Sequence, residues 1–130
     1  MKIVHSLWSK PWENLGLKGV RQSWLTPAHY WASWAYSART SFAQFGKIDL
    51  VTDKVGARIL SDTLQLPYNK VSVVLDKMSV NPALWTAGKI TAYGMQTEPF
   101  LHIDSDAYFL KKLPQRFLDA GIVAQYEENE

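Results

Sequence analysis

The stretch Phe-Leu-His-Ile-Asp-Ser-Asp (residues 100–106) runs from apolar residues directly into two carboxylates. Its apolar part, residues 100–103, has the length and composition of a short buried strand. On an extended chain residues two apart point the same way, so Asp104 and Asp106 face one side while Ser105 faces the other. Two carboxylates placed in this way offer hard oxygen ligands, which suit Mg²⁺ or Mn²⁺. The stretch therefore predicts a divalent-metal site at the end of a strand.

Similar short apolar runs alternate with helical patterns along the rest of the chain. Strands are predicted at residues 2–8, 48–52, 71–75, 100–103 and 122–126. Helices are predicted at residues 27–45, 54–64, 81–96 and 115–118, the first with a Thr-Pro start. The alternation predicts an α/β, Rossmann-like fold, with a mostly parallel sheet and helices on both faces. A chain of 130 residues is expected to form a single domain.

Polar residues collect at the predicted carboxyl ends of the strands, where sheets of this kind bind ligands. Besides the two carboxylates of the fourth strand, these ends carry His5, Ser6, Thr52, Asp53 and Asp76. Carboxylates that converge there repel one another unless a cation relieves the repulsion. Asp53 and Asp76 also fit the ordinary role of turn formers or helix caps. His102 shares the parity of Asp104, but its position inside the strand favours a hydrogen-bonded core histidine.

The composition excludes several classes of protein. The chain is 47% hydrophobic and 20% charged, as in an ordinary globular domain. It contains no cysteine, which excludes disulfides, thiolate metal sites and cysteine nucleophiles. The net charge of +2 comes from dispersed basic residues, so no nucleic-acid partner is expected. No signal-peptide core and no apolar run of about 20 residues occurs, so we expect no transmembrane segment and a cytoplasmic location.

Tryptophan is concentrated near the start of the chain. Five of the six tryptophans fall within the first 34 residues, at positions 8, 12, 24, 31 and 34. Indoles stack well on sugar rings and bases, but they also fill protein cores. The sequence alone leaves both roles open for each of them.

Residues 101–109 resemble the Asp-X-Asp segment of glycosyltransferases with the A-type nucleotide-sugar fold, in which an apolar strand leads into the motif and an apolar residue follows. The predicted helix that carries Lys89 and Tyr93 is similar to the helix ahead of the motif in those enzymes. Residues 2–8 and 48–53 resemble their first and second strands. The resemblance spans nearly the whole chain in order, and its specific part is the Asp-X-Asp segment.

The resemblance implies transfer of a sugar from a nucleoside diphosphate sugar, with a UDP-sugar favoured, to an unknown acceptor. Mn²⁺ or Mg²⁺ would be held by Asp106 and, directly or through water, by Asp104, and would stabilise the diphosphate as leaving group. Lys89 would add positive charge to the same phosphates, although it also fits a solvated helix residue. The further nucleotide-binding positions that the resemblance implies are His5, Ser6, Thr52 and Asp53.

Only 24 residues follow Asp106, whereas glycosyltransferases of this fold continue into a half that binds the acceptor and carries the catalytic base. The resemblance therefore implies the donor-binding half of such an enzyme, and no catalytic residue can be named. Glu127 and Glu128, just past the predicted fifth strand, fit an exposed acidic end.

Two other functions stay open. One is a non-catalytic nucleotide-binding or protein-interaction module that uses the aromatic N-terminal third as its contact surface. An open sheet of this kind would expose apolar surface, so a homo-oligomer is plausible. The other is a haloacid-dehalogenase-like phosphotransferase, which also places Asp-X-Asp at a strand end. That motif lies on the first strand and precedes Gly and Thr, whereas here it lies on the fourth and precedes Ala107 and Tyr108.

Overall fold

The computed structural model describes residues 1–13, 24–121 and 123. Within these residues four parallel strands form one sheet, in the order β3-β2-β1-β4. The strands are Lys2–Leu7 (β1), Ile48–Thr52 (β2), Lys70–Val73 (β3) and Phe100–His102 (β4). The helices are Lys10–Glu13 (α1), Pro27–Phe45 (α2), Lys54–Ala57 (α3), Ala87–Gly94 (α4) and Gln115–Leu118 (α5).

Helices cover both faces of the sheet, and each face has its own hydrophobic core. The residues of β1, one of the two inner strands, alternate between these two cores. Ile3 and Leu7 pack against one core, to which α2 contributes Trp34. Val4 belongs to a second core on the opposite face, to which α4 contributes Ala92. A parallel sheet that is buried on both faces is the expected consequence of right-handed crossover helices. The predicted α/β, Rossmann-like fold class is thus confirmed.

Helix α2 has the ends that its sequence predicts. At its start the Thr26 hydroxyl oxygen accepts a hydrogen bond of 3.2 Å from the His29 N–H, and Pro27 occupies the first turn. At its end Gly46 adopts the left-handed conformation, with φ of 68°, and its N–H donates to the Phe42 carbonyl at 2.7 Å. Its bounds, and those of β2, coincide with the predicted ranges.

β1 and β4 each end one residue before the predicted end, at Leu7 and His102, and two further elements differ more. The third strand, predicted at 71–75, ends at Val73, because Leu75 already belongs to the 3₁₀ helix Leu75–Lys77. The helix predicted at 54–64 is α-helical only in α3 and continues as a π-helix over Arg58–Thr63. Both differences are local and leave the order of elements unchanged.

Helix α4 is shorter than the predicted 81–96. The Asn81 side-chain oxygen accepts from the Ala83 N–H and its carbonyl accepts from the Leu84 N–H, both at 2.9 Å. These bonds close a turn in place of a first helical turn, as asparagine side chains often do. The helix then starts at Ala87, and the largely exposed residues 81–86 before it form turns.

Helix α4 approaches β1 very closely at Gly88. A Cβ atom at this position would lie 2.7 Å from the Cβ of Trp8, which is closer than carbon atoms approach in proteins. Only glycine therefore lets α4 pack at this distance from the end of β1.

Some predicted features lie on residues that the structure does not describe. The predicted fifth strand at 122–126 lies, apart from position 123, outside the described residues, as do Glu127 and Glu128. Across the described part of the chain, no helix is both long and apolar enough to cross a bilayer.

Candidate functional site

A cavity of about 250 Å³ lies at the carboxyl ends of β1 and β4. Ser6, Leu7 and Trp8 of the β1 end line it, together with Gly88 and Lys89 of α4. The segment that follows β4 contributes the residues Asp104, Ser105 and Asp106. The structure therefore brings the Asp-X-Asp segment, Ser6 and Lys89 into one site, at the edge of the sheet where the sequence predicts a ligand.

The backbone of the Asp-X-Asp segment is held in place by two serines of α2. The Ser37 hydroxyl donates to the Asp104 carbonyl at 3.0 Å, and the Ser33 hydroxyl donates to the Ser105 carbonyl at 2.5 Å. The Tyr108 hydroxyl lies 2.5 Å from Ser33 Oγ and, because Ser33 has already used its proton, donates to it. The two serine bonds to this segment use main-chain carbonyls and involve neither aspartate carboxylate.

Asp104 forms the principal ion pair of the site. Lys89 Nζ lies 2.7 Å from Asp104 Oδ2, while His102 Nδ1 lies 3.7 Å from Oδ1. The same ammonium group lies 5.0 Å from the ring centroid of Trp85, within the range of a cation–π contact. Lys89 thus joins α4 to the Asp-X-Asp segment across the cavity.

His102 is part of the support of the site and carries no charge at neutral pH. Burial lowers its pKa to about 4, and the opposing effect of the Asp104 carboxylate does not restore the ordinary value. Its Nε2 shares a hydrogen bond of 2.9 Å with the Ser6 hydroxyl. This is the hydrogen-bonded histidine that its position inside the strand favours, and it ties β4 to β1.

The chain belongs, on sequence, to a family whose function has not been assigned. The whole chain, residues 1–130, matches the family model described as "Family of unknown function (DUF6734)". It is a member of the DUF6734 family. No curated protein and no solved structure matches the chain significantly.

Three predicted site residues of this DUF6734 chain lie away from the cavity lining. His5 is fully buried, with its Nδ1 3.1 Å from the Tyr68 hydroxyl. Thr52 is also fully buried and donates to the Leu7 carbonyl at 2.7 Å. Asp53 caps α3, and its two carboxylate oxygens accept from backbone N–H groups. The hydrogen bonds of these three side chains are made within the protein, so their role in the structure is to stabilise the fold.

The carboxylate of Asp76 has a similar structural role. Its Oδ2 accepts a hydrogen bond of 3.0 Å from the backbone N–H of Lys54, at the start of α3. The ordinary role of a strand-end aspartate as a cap therefore applies to both Asp53 and Asp76.

Metal ligands from the protein are few. Within residues 1–13, 24–121 and 123, no group of three or more His, Cys, Asp or Glu side chains is placed to hold a metal ion. Asp104 and Asp106 are the two carboxylates of the cavity, and both supply the oxygen donors that Mg²⁺ and Mn²⁺ prefer. A divalent cation at this position would take at most these two carboxylates as ligands from the described residues of the cavity.

The serines of α2 are functional residues that the sequence interpretation missed. Ser33, Ser37 and Ser41 recur every four residues and are buried on one face of an otherwise aromatic and alanine-rich helix. Ser33 and Ser37 bond to the Asp-X-Asp segment, whereas the Ser41 hydroxyl has no hydrogen-bond partner among the described residues. The four-residue spacing of these serines is the feature of the sequence that could have identified the face of α2 in contact with the Asp-X-Asp segment.

Proposed function

We propose that this chain is the donor-binding part of a metal-dependent glycosyltransferase, which transfers a sugar from a nucleoside diphosphate sugar to an acceptor. The observation that carries the proposal is the cavity at the carboxyl edge of a parallel sheet, which Asp104, Asp106 and Lys89 all line. Ligands of α/β sheets bind at this edge. A UDP-sugar is the favoured donor, and we place the protein in the cytoplasm.

The charges of the cavity support a divalent cation as part of the bound complex. Its described lining holds two carboxylates, Asp104 and Asp106, against one ammonium, Lys89. A diphosphate alone would be repelled by this net negative charge. Mn²⁺ or Mg²⁺ held by the two carboxylates would reverse the sign and, when bound, stabilise the diphosphate as leaving group.

The protein's own groups have defined tasks in this proposal. Ser33 and Ser37 fix the backbone of the Asp-X-Asp segment, so that the carboxylates are oriented before any ligand arrives. Lys89 neutralises Asp104 in the free protein and is placed to turn its ammonium group toward the donor phosphates. Trp85 covers one side of Lys89 and limits its contact with water.

The test is thermal unfolding with UDP, GDP and CDP, each with and without Mn²⁺, for the wild type and for Asp106→Ala. A nucleotide present at 100 times its Kd stabilises the fold by about 2.7 kcal/mol. We expect the Mn²⁺-dependent part of this shift to vanish in Asp106→Ala. The matched control is Asp62→Ala, which removes an exposed carboxylate outside the cavity lining and should keep the full shift. Absence of a shift with all three nucleotides in the wild type would contradict the proposal.

A second candidate is a nucleotide-binding or protein-interaction module without turnover. Large exposed apolar side chains around the start of α4 favour it: Trp85, which lines the cavity, is 57% exposed, and Leu84 and Ile90, close to it in sequence, are 60% and 65% exposed. Exposed apolar residues grouped in this way often belong to contact surfaces, including those of homo-oligomers. Mn²⁺-dependent nucleotide binding without any hydrolysis or transfer of a UDP-sugar would favour this function over glycosyl transfer.

A further inference from the structure

An apolar surface at the start of α4 is not explained by the proposed donor site. Its four large side chains, Leu84, Trp85, Ile90 and Tyr93, are all exposed, and we call them the α4 patch. Trp85 lines the cavity, and the other three lie outside its described lining. Exposed apolar side chains grouped in this way mark a contact with another protein or with a membrane.

Helix α4 presents apolar residues on the side that faces away from its core. Successive residues of an α-helix are about 100° apart, which places Ile90 about 200° from Gly88 around the helix. Gly88 and Ala92 are the buried residues of α4, whereas Ile90 and Tyr93 are exposed. A surface helix of a globular protein usually carries polar residues on its outward side. The outward side of α4 therefore has the composition of a contact surface.

The segment that contains the patch carries only positive charge. Residues 77–97 include Lys77 and Lys89 and no carboxylate. The carboxylates that flank this segment are engaged within the protein, since Asp76 accepts a backbone hydrogen bond at the start of α3 and Glu98 forms an ion pair. An apolar surface with this charge is complementary to an anionic one.

Lys77 supplies the positive charge beside the patch. Lys89 is engaged by Asp104, whereas Lys77 is exposed. The Thr91 hydroxyl of α4 lies 3.7 Å from the sulfur of Met78, and this contact brings Lys77 next to the helix. The positive charge and the apolar side chains thus belong to one region of the surface.

A lipid surface fits the patch better than a second copy of the chain does. In a two-fold contact the same surface meets itself, so Lys77 would face a segment that has no carboxylate to pair with it. Tryptophan and tyrosine beside leucine and isoleucine are the residue types of membrane interfaces, where the apolar part of the ring is immersed and its polar atom reaches the head groups. Anionic head groups of the cytoplasmic leaflet also attract lysine.

We propose that the α4 patch binds the surface of an anionic lipid bilayer, with Leu84, Trp85 and Ile90 inserted below the head groups and Lys77 at the level of the phosphates. The eight residues of α4 span about 12 Å, so the helix lies along the bilayer surface. The inference goes beyond the proposed function and does not rest on it, because lipid binding requires neither metal nor nucleotide.

The proposal is tested by flotation of the whole chain with large unilamellar vesicles. The vesicles consist of phosphatidylcholine alone or of an equal mixture of phosphatidylcholine and phosphatidylglycerol. EDTA is present throughout, so that no divalent cation can bridge Asp106 to a lipid phosphate. We expect the wild type to partition more strongly into the mixed vesicles. Lys77→Gln should weaken this partition about fivefold, the effect of one lysine at an anionic surface.

The apolar part of the patch is tested with polar side chains of similar length. Leu84→Gln and Ile90→Gln should each weaken the partition into the mixed vesicles about tenfold, because each removes an apolar side chain from the lipid. Leu110→Gln is the matched control, since Leu110 is 74% exposed and follows Phe109, which packs against the core on the α2 side of the sheet. It should leave the partition unchanged, and an equal loss in Leu110→Gln would overturn the proposal.

Two further results would overturn the proposal. One is a folded wild type that binds neither kind of vesicle, or that binds both equally. The other is self-association in sedimentation velocity that Ile90→Gln abolishes, without vesicle binding, which would make the patch a contact between copies of the chain. The Mn²⁺-dependent nucleotide shift should persist in Leu84→Gln and Ile90→Gln, so failure of lipid binding is distinguishable from failure of the donor site.

Discussion

Asp104 lies between two basic side chains that differ in charge. The Lys89 ammonium, 2.7 Å away, is its counter-ion, whereas His102, 3.7 Å away, is held neutral by burial. A metal that binds Asp104 through Oδ2 must displace Lys89, so the ion pair competes with the cation for this oxygen. The side chain of Asp104 is 47% exposed, so solvent screens the pair and its strength is modest.

Replacement of Lys89 by methionine removes this competitor and keeps most of the side-chain volume. An ion pair of this exposure contributes up to about 1 kcal/mol, so we expect Lys89→Met to bind Mn²⁺ alone roughly two- to fivefold more tightly than the wild type. Isothermal titration of the nucleotide-free protein with MnCl₂ measures the effect. Lys77→Met, which removes an exposed lysine outside the cavity lining, is the control and should leave the affinity unchanged.

The same variant should bind UDP in the presence of Mn²⁺ less tightly, because the phosphates lose a positive charge. The two effects of Lys89→Met thus have opposite signs. Equal Mn²⁺ affinity in the wild type and in the variant would show that Asp104 does not take part in metal binding.

Helix α4 contains two glycines whose surroundings differ. A Cβ at Gly88 would lie 2.7 Å from Trp8 Cβ, an atom fixed to the strand backbone that no rotamer change can move away. A Cβ at Gly94, in the last turn of the same helix, would have no atom within 4 Å. The two positions therefore separate the effect of packing from the effect of helix propensity.

We expect Gly88→Ala to destabilise the protein by about 1–2 kcal/mol, because overpacking exceeds the gain of about 1 kcal/mol in helix propensity. Gly94→Ala should be neutral or stabilise the protein by up to about 1 kcal/mol. Urea unfolding of both variants measures the difference. A Gly88→Ala variant as stable as Gly94→Ala would show that α4 does not pack on β1 at the described distance.

Part of the pH dependence of the protein's stability should come from His5, beside that of His102, whose pKa burial also lowers. Burial lowers the pKa of His5 to about 3 from an ordinary value of 6.5. The folded protein then binds fewer protons than the unfolded chain between these two values. The stabilisation is complete above pH 6.5 and is lost as the pH falls toward 3, by about 1.4 kcal/mol per pH unit.

Between pH 7 and pH 5 the contribution of His5 amounts to about 2 kcal/mol. His5→Leu should remove this part of the pH dependence, so that its free energy of unfolding falls less over the interval than that of the wild type. Tyr68→Phe deletes the hydrogen-bond partner of His5 but keeps the imidazole, and it should retain the wild-type slope. Denaturant unfolding at both pH values makes the comparison, and equal slopes for His5→Leu and the wild type would contradict the burial argument.

Much of the fold was predictable because strands and helices alternate with clear ends. Thr26 and Gly46 bracket α2 through local hydrogen bonds, which the sequence near them determines. The start of α4 was not predictable in this way, since Asn81 can cap a helix or close a turn, and the tertiary position of α4 decides between them. Periodicity alone does not distinguish these outcomes.

For the candidate site, the sequence predicts the edge of the sheet and four residues that line the cavity, but it also includes three that do not reach it. Neighbouring residues of a strand face opposite ways, so Ser6 lines the cavity while His5 enters the core beside Tyr68. Thr52 and Asp53 make hydrogen bonds to segments distant in sequence, which no local pattern reveals. The roles of Ser33 and Ser37 depend on the same kind of tertiary contact.

The anchoring of the Asp-X-Asp segment through its main-chain carbonyls has a consequence for protein engineering. Because Ser37 and Ser33 bond to the backbone oxygens of Asp104 and Ser105, these two anchors do not depend on the side chains at positions 104 and 105. Asp104 and Asp106 can therefore be replaced by asparagine, glutamate or histidine without loss of these two backbone hydrogen bonds. The backbone of residues 104–106 would keep its position while the new side chains change which metal ion is preferred.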